Sequence, residues 1–137
     1  MVAALLLACS LCPRLYAMDR WAALSQIESG DDDHAVGAAG EVSRYQMKVE
    51  LWRQYAPTNA DWQNPTDSLK VAQELMKVRC ADFEQTFGRP PTDFEFYILW
   101  NAPGQIRSPA KAVRERAERF RNLVTGTWTR TEAAGRR

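Results

Sequence analysis

The chain has 137 residues, 45% of them hydrophobic, and a formal net charge of +1. This length suffices for one domain with one hydrophobic core and excludes a separate regulatory domain. Because the charge is nearly balanced, the composition gives no reason to expect nucleic acid or an anionic membrane as a partner. We expect a single globular monomer.

The charge is unevenly distributed along the chain. Residues 1–106 carry nine Lys or Arg and fourteen Asp or Glu, whereas residues 107–137 carry nine and three. A body of net charge −5 is therefore followed by a basic end of net charge +6. We interpret the arginines of this end as the solvated face of a helix, with an anionic partner as the alternative. They are Arg114, Arg116, Arg119 and Arg121.

Residues 1–17 have the features of an export signal. The apolar run from Val2 to Cys12 is too short to cross a bilayer, which takes about 20 residues, and Ala17 offers a small residue for cleavage. The sequence Leu6-Leu7-Ala8-Cys9 also resembles a lipoprotein processing box, which would anchor Cys9 to lipid. We predict export to the periplasm or the extracellular space, and no transmembrane span.

Cysteine and histidine are too few to indicate a metal or redox site. Cys9 and Cys12 have metal-ligand spacing, but no second pair follows, and His34 is the one histidine of the chain. Once the leader is removed, Cys80 remains as a single thiol, so we expect no disulfide within the domain. We predict neither a metal ion nor a cofactor.

Turn signals divide the chain into about five helical stretches. Asn64-Pro65 supplies an N-cap followed by proline at the first helical position, and predicts an amphipathic helix that ends near Gly88. Residues 92–95 have the pattern of a capping box and predict a strongly apolar, buried helix from Phe94 to Trp100. The core-facing residues of the first of these helices are Leu69, Ala72, Met76, Cys80, Phe83 and Phe87.

The last predicted helix begins at Ser108-Pro109, where the cap-then-proline pattern recurs. Beyond Thr125 the chain becomes polar, so we expect residues 126–137 to form a flexible basic tail. Residues 18–125 would then form the domain. The core-facing residues of this helix are Val113, Ala117, Phe120 and Val124.

The first predicted helix, Met18 to Ser29, carries a carboxylate on an apolar face, because Trp21, Leu24 and Glu28 recur at spacings of three and four. Three glycines then punctuate residues 30–46, which we expect to form a loop with a short β-element. The predicted fold is mainly α, with about five helices around one core and this loop beside the site.

Three segments form a pattern across the predicted domain: Glu28-Ser29, residues 40–46 (Gly-Glu-Val-Ser-Arg-Tyr-Gln) and residues 99–104 (Leu-Trp-Asn-Ala-Pro-Gly). They resemble the Glu-Ser pair, the Gly-Ala-x-Gly-Leu-Met-Gln motif and the Ala-Tyr-Asn-Ala-Gly segment of soluble lytic transglycosylases and goose-type lysozymes. The distances from residue 28 to residue 40 and to residue 46, which are 12 and 18 residues, match the spacing of those families. The resemblance implies an α+β lysozyme-like fold.

Several positions depart from the family pattern. The serine of the families' Ala-x-Ser segment is Gly37 here, the alanine after the first loop glycine is Glu41, and the tyrosine before asparagine is Trp100. Residues 43–45, Ser-Arg-Tyr, replace the second glycine and the Leu-Met pair. These departures indicate a divergent member, and they affect the expected substrate contacts more than the expected acid.

The resemblance implies cleavage of the MurNAc-GlcNAc β-1,4 bond in peptidoglycan glycan strands. Glu28 would act first as acid and then as base, and the sugar's own 6-hydroxyl would attack to give 1,6-anhydro products. Burial among apolar side chains disfavours the charged form of a carboxyl, so we expect a raised pKa for Glu28. Because Trp100 has no phenol, Tyr97 or Tyr45 is expected to supply one near the acid.

The expected substrate contacts are polar side chains that can bond to acetamido groups and aromatic rings that can stack on sugars. The amides of Gln46 and Asn101 suit the first task, and the rings of Tyr45 and Trp100 suit the second, with core packing as the alternative for both rings. The full set is Ser29, Ser43, Tyr45, Gln46, Tyr97, Trp100 and Asn101.

Because of other carboxylates in the loop, the sequence does not decide between transglycosylation and hydrolysis. Asp31, Asp33 or Glu41 could position a hydrolytic water, which would make the protein a hydrolysing goose-type muramidase, although a solvated turn is the simpler interpretation of the aspartates. His34 beside them is expected to be exposed. A catalytically weak or inactive glycan-binding or scaffold domain is the remaining alternative, motivated by Gly37 and the tryptophan before Asn101.

Overall fold

The computed structural model describes residues 17–127, which are mainly helical. Five α-helices follow one another in this range, with one short 3-10 turn at Pro103–Gln105. The predicted export signal and flexible tail lie outside the described residues, apart from Ala17, Gly126 and Thr127. The helices are α1 (Arg20–Glu28), α2 (Val49–Tyr55), α3 (Pro65–Phe87), α4 (Asp93–Asn101) and α5 (Lys111–Thr125).

The predicted ends of α3 are confirmed. The Asn64 side chain accepts hydrogen bonds from the backbone N–H groups of Thr66 (2.9 Å) and Asp67 (3.2 Å), which have no partner within the helix. At the other end, Gly88 adopts the left-handed backbone (φ 71°) that commonly terminates a helix. The chemistry of these two caps is local, so the sequence alone was sufficient to predict them.

The predicted capping box of α4 is also confirmed. Thr92 Oγ1 accepts a hydrogen bond from Glu95 N (3.3 Å), and Glu95 Oε2 accepts one from Thr92 N (2.9 Å). Arg89 donates to both carboxylate oxygens of Glu95 (2.8 and 2.7 Å), and these bonds lower the pKa of Glu95 to about 2. The start of α4 is therefore fixed by a network of side-chain and backbone bonds.

The predicted start of the last helix is wrong. α5 begins at Lys111 rather than at Ser108-Pro109, and the residue before it, Ala110, offers no side-chain cap. Ser108 N donates to the carbonyl of Gln105 (3.0 Å), so this part of the chain still belongs to the turn after α4. The Gln105 side chain accepts the hydrogen bond from Ala110 N (2.9 Å), the donor that Ser108 was expected to cap.

α1 is slightly shorter than predicted, and α2 lies in a stretch that the sequence did not mark. Asp19 caps α1 by accepting hydrogen bonds from Trp21 N (2.8 Å) and Ala22 N (3.1 Å). α2 has seven residues and follows Lys48, which makes no side-chain cap bond. A helix this short with no cap residue carries little sequence signal, because its stability comes from packing against the rest of the fold.

The glycine-punctuated segment 30–46 is a loop in which the β-structure is limited to isolated bridges. Val42 pairs in antiparallel fashion with Val36 and with Met47, so the predicted short β-element is present in a reduced form. The left-handed backbone conformation recurs along the segment, at Gly30, Asp31, Gly40, Ser43 and Gln46. These turns fold the loop back over the end of α1.

α4 is the centre of the core. Residues Phe96 to Trp100 are all buried, as the continuous apolar run predicted. The helix packs against α3 and α5, and α1 also packs against α5. The ring of Phe96 stacks on that of Phe120 with 5.7 Å between centroids, and Tyr97 packs against the same ring. Aromatic pairs of this kind add about 0.5–1.5 kcal/mol beyond the area they bury.

The residues predicted to face the core do so to different degrees. From α3, Ala72, Met76 and Phe83 are buried, whereas Leu69, Cys80 and Phe87 pack against the core while partly exposed. From α5, Ala117 and Phe120 are buried, Val113 and Val124 are partly buried, and the buried Leu123 was not predicted. Burial raises the pKa of the Cys80 thiol. Within residues 17–127, no helix is long and apolar enough to cross a bilayer.

Replacing Thr92 with alanine is expected to lower the free energy of unfolding by about 1 kcal/mol, because α4 loses the acceptor for its third backbone N–H. Thr86→Ala is the matched control. The Thr86 hydroxyl bonds to a carbonyl within α3, and alanine favours helix, so this variant should change stability by only about 0.5 kcal/mol or less. Chemical denaturation measures both values. Equal losses in the two variants would contradict the capping role.

Candidate active site

A groove of ≈ 580 Å³ lies at the end of α1, and one wall of it is the glycine-punctuated loop. The end of α4 and side chains from α3 and α5 also line the groove. Of the residues that the sequence predicted for the site, the groove brings together Glu28, Glu41, Gln46, Tyr97, Trp100 and Asn101. Its volume is in the range of small-molecule and cofactor sites, which is about 300–1,000 Å³.

Glu28 is the last residue of α1, and its carboxyl is held in the groove by a hydrogen bond from the side chain of Tyr97. Tyr97 Oη donates to Glu28 Oε1 at 2.7 Å. Burial raises the pKa of Glu28 above 4.5, whereas the bond from Tyr97 and the charge of Arg116 act to lower it, and burial prevails. The predicted upward shift is therefore confirmed. The carboxyl keeps its proton to a higher pH than an exposed glutamate does.

Tyr97 comes from the centre of α4 and reaches Glu28 from the core side. The residue is 0% exposed and its ring packs against Phe120. Burial, together with the nearby Glu28 charge, raises the pKa of the phenol, so its O–H stays protonated and acts as a donor. Of the two tyrosines expected to supply a phenol near the acid, Tyr97 does so.

The loop wall is built around Gly37. The backbone N–H of Gly37 donates to the carbonyl of Glu41 (2.8 Å), and the tight turn that results brings Glu41 back over the glycine. A Cβ atom at position 37 would collide with the Glu41 carboxylate and lie 2.6 Å from Gln46 Oε1. The absence of a side chain at residue 37 therefore makes room for both polar groups, which explains why glycine stands there together with glutamate at position 41.

Two side-chain hydrogen bonds hold the polar side chains of this wall in place. Glu41 Oε2 accepts a hydrogen bond from Ala39 N (3.1 Å), and Gln46 Nε2 donates to the carbonyl of Ser43 (3.1 Å). Gln46 has a left-handed backbone (φ 50°), and its side chain lines the groove. Glu41 is the one secondary carboxylate of the predicted three that lines the groove.

Two predicted substrate contacts lie in the core instead of the groove, and the expectation is corrected. Ser43 is 0% exposed, and its hydroxyl accepts a hydrogen bond from Tyr45 N (3.2 Å). Tyr45 is 3% exposed, and its ring meets the edges of Trp21 and Trp100. Trp100 lines the groove but is itself only 7% exposed, so most of its ring belongs to the core. Asn101 lies beside it at the end of α4.

Ser29, Asp31 and Asp33 do not line the groove, and this too corrects the expectation. Ser29 Oγ donates to the Arg44 carbonyl (2.8 Å), Asp31 accepts from Ser25 Oγ (2.6 Å), and Asp33 forms an ion pair with Arg44 (2.6 Å). The two bonds to Arg44 tie the start of the loop to its second half, and the bond from Ser25 ties the loop to α1. His34 is exposed, as expected.

The groove is also lined by four basic side chains that the sequence analysis did not assign to the site. They are Lys48, Arg79, Arg116 and Arg119. Arg79 donates from α3 to the carbonyls of Leu99 (2.7 Å) and Trp100 (2.8 Å), and so ties down the end of α4. The four α5 arginines are exposed, as predicted, but Arg116 and Arg119 also border the groove. Helical spacing contained a signal for this, because Arg116 lies three residues after Val113 and four before Phe120.

The groove has acidic, amide, aromatic and basic groups but no grouping suited to a metal ion. Within residues 17–127, no three His, Cys, Asp or Glu side chains converge as metal ligands would. Comparisons of the chain with protein-family models, with curated proteins and with solved structures find no match.

Glu28→Gln is expected to stabilise the protein at pH 7. Because the pKa of Glu28 is higher in the folded chain than in the unfolded one, the stability of the wild type falls as pH rises from the unfolded pKa through the folded pKa. The amide has no charge to bury, so the variant lacks this fall. Denaturation curves at pH 4 and pH 7 should show that the variant gains on the wild type as pH rises. A difference that stays constant would contradict the burial of the carboxyl.

Gly37→Ala is expected to lower the free energy of unfolding by about 1 kcal/mol, because the new Cβ displaces the side chains of Glu41 and Gln46. Once Glu41 has been displaced, removing its side chain costs less. The double variant Gly37→Ala/Glu41→Ala should therefore lose less stability than the sum of the two single variants. The measurement is a double-mutant cycle by chemical denaturation. Additive losses would show that residues 37 and 41 are not coupled.

Proposed function

We propose that this chain is a lysozyme-like enzyme that cleaves the glycan strands of peptidoglycan with Glu28 as its acid. The observation that carries the proposal is the state of this carboxyl: it is partly buried, lies in a groove, and has a raised pKa because burial outweighs its neighbours. Glycosidic bond cleavage requires an acid that is still protonated at the working pH, since the leaving oxygen must be protonated as the bond breaks, and the raised pKa of Glu28 acts in this direction.

Tyr97 supports the same role for Glu28. Its phenol donates to Oε1 at 2.7 Å, which leaves the second carboxyl oxygen to carry the proton toward the substrate. After the proton has been transferred, the bond from Tyr97 stabilises the carboxylate that remains. The carboxylate can then act as a base and accept a proton from the attacking hydroxyl, so one side chain serves both steps.

The loop conformation supports the family alignment on which the substrate is proposed. Gly40 (φ 82°) and Ser43 (φ 70°) both have left-handed backbones, and both stand at the positions of glycines in the family motif. Glycine adopts this conformation without strain, whereas serine does so at some cost. The chain therefore keeps the backbone that a glycine motif favours at a position where its sequence has departed from that motif.

The polar walls of the groove fit an N-acetylated sugar strand. Gln46 on the loop and Asn101 at the end of α4 present side-chain amides to the groove, and amides can both donate to and accept from an acetamido group. Peptidoglycan lies outside the cytoplasm, so the proposal includes export of the protein, in agreement with the apolar leader predicted at residues 1–17.

Glu41 favours hydrolysis as a second candidate outcome of the reaction. Its carboxylate lines the same groove as Glu28, and its charge adds to the upward shift of the Glu28 pKa. A second carboxylate can position and activate a water molecule, as it does in inverting glycosidases. Without such a water, the substrate's own 6-hydroxyl would attack and give an anhydro product.

Digestion of purified sacculi tests the proposed function. The wild type should release soluble muropeptides, and Glu28→Gln should release them at a rate lower by about 10²-fold or more, because the general acid is lost. Glu74→Gln, at an exposed position of α3, makes the same chemical change outside the groove and should retain the wild-type rate. An unchanged rate in Glu28→Gln would overturn the proposal.

The mass of the released products separates the two reactions. Anhydro ends and reducing ends differ by one water, and Glu41→Gln should slow the reaction strongly only if the products carry reducing ends. Anhydro products from a variant that lacks the Glu41 charge would assign the reaction to transglycosylation.

A further inference from the structure

Two arginines of α5 stand at the groove beside the proposed acid. Arg116 and Arg119 are one helical turn apart, so they lie on one face of α5. Both line the groove that contains Glu28 and Tyr97. Both are exposed, so their guanidinium groups are within reach of a ligand that enters the groove.

These arginines have no ion-pair partner among residues 17–127, in contrast to other charged residues of the same helix. Arg121 pairs with Glu118 at 2.6 Å, and Lys111 approaches Glu115 to 3.8 Å. The carboxyl that Arg116 and Arg119 approach, that of Glu28, is already bonded to the Tyr97 phenol. Arg116 also interacts with the Tyr97 phenol and thereby acts to lower its pKa. A guanidinium group has five N–H donors, so both arginines keep donors for a ligand.

The positive charges of Arg116 and Arg119 disfavour two features that Glu28 needs as an acid, its raised pKa and the positive charge that forms on the sugar. Burial raises the pKa of Glu28, and both arginines act to lower it. A nearby cation also disfavours the positive charge that develops on the sugar ring when the bond breaks. Neither effect assists catalysis by Glu28, so the two guanidinium groups are better explained as a binding site for an anion on the substrate.

We propose that Arg116 and Arg119 bind carboxylates carried by the lactyl arm of the muramyl sugar, and so select carboxylate-bearing strands over neutral ones. The proposal rests on the proposed function, which brings a glycan strand into this groove. In peptide-bearing strands the carboxylates belong to the stem peptide, and in strands without peptides the lactyl group itself ends in one. A guanidinium group matches a carboxylate with two parallel hydrogen bonds.

Lys48, which follows the loop, adds a further positive charge to the groove, and Arg79 is engaged with the carbonyls of Leu99 and Trp100. A strand that enters the groove would thus meet positive side chains from α5 and from Lys48, while the amides of Gln46 and Asn101 remain for its neutral acetamido groups. This arrangement separates recognition of the sugar from recognition of its acidic substituent.

Binding to the full chain that carries Glu28→Gln tests this inference independently of catalysis. The probes are fluorescently labelled glycan strands of three kinds: peptide-bearing, peptide-free, and peptide-bearing with all carboxylates converted to amides. Removal of both guanidinium groups by Arg116→Gln and Arg119→Gln should weaken binding of the carboxylate-bearing strands by about 3-fold to 10-fold. Binding of the amidated strands should be unchanged.

Arg114→Gln together with Arg121→Gln is the matched control, because it removes two charges from the same helix and neither residue lines the groove. This control should bind all three probes as Glu28→Gln alone does. If peptide-bearing strands alone respond to the Arg116 and Arg119 changes, the stem peptide supplies the carboxylate; if peptide-free strands respond as well, the lactyl group does.

Equal loss of affinity for amidated and carboxylate-bearing strands would overturn the inference, and so would an equal loss in the control variant. A matching loss of affinity for a short DNA duplex would also overturn it, because the arginines would then form a general polyanion surface. Failure of the proposed function looks different. In that case the wild type cuts no strand, while carboxylate-selective binding through Arg116 and Arg119 is still measured.

Discussion

The hydrogen bond from Tyr97 to Glu28 is the interaction on which the rest of the site depends. It joins residues 69 positions apart in the chain and connects the end of α1 to the buried helix α4. Packing of Tyr97 against Phe120 fixes the phenol before any ligand arrives. The same enclosure that immobilises the phenol desolvates the carboxyl, so the core that stabilises the fold also raises the pKa of Glu28.

A carboxyl in such surroundings lowers the stability of the protein when it is charged. A partly buried carboxylate at the C-terminal end of α1 meets the negative end of the helix dipole as well as a desolvated environment, and both disfavour its charge. Arg79, whose own pKa is lowered by burial, holds two carbonyls at the end of α4 and so fixes the part of the groove that carries Trp100. Gly37 shapes the loop wall because only a residue without a side chain leaves space there for the side chains of Glu41 and Gln46.

Much of the fold and part of the site could be predicted from the sequence. The features that could be predicted differ physically from those that could not. Helix ends formed by neighbouring residues, such as the cap at Asn64, were predictable because their chemistry is local. Glu28 was predictable because helical spacing placed it on an apolar face. Tyr45 was misplaced in the cleft because the path of the loop depends on which aromatic rings it packs against. The start of α5 was missed because Gln105, outside the helix, replaces the expected cap at Ser108.

The most direct test of this account is a titration of the Glu28 carboxyl carbon by NMR in the full chain, with Tyr97→Phe alongside the wild type. The account predicts a pKa above 4.5 in the wild type, and a still higher pKa in Tyr97→Phe, because the bond that favours the charged form is lost while burial remains. A wild-type pKa at or below that of an exposed glutamate, with no response to the loss of the phenol, would contradict the central claim.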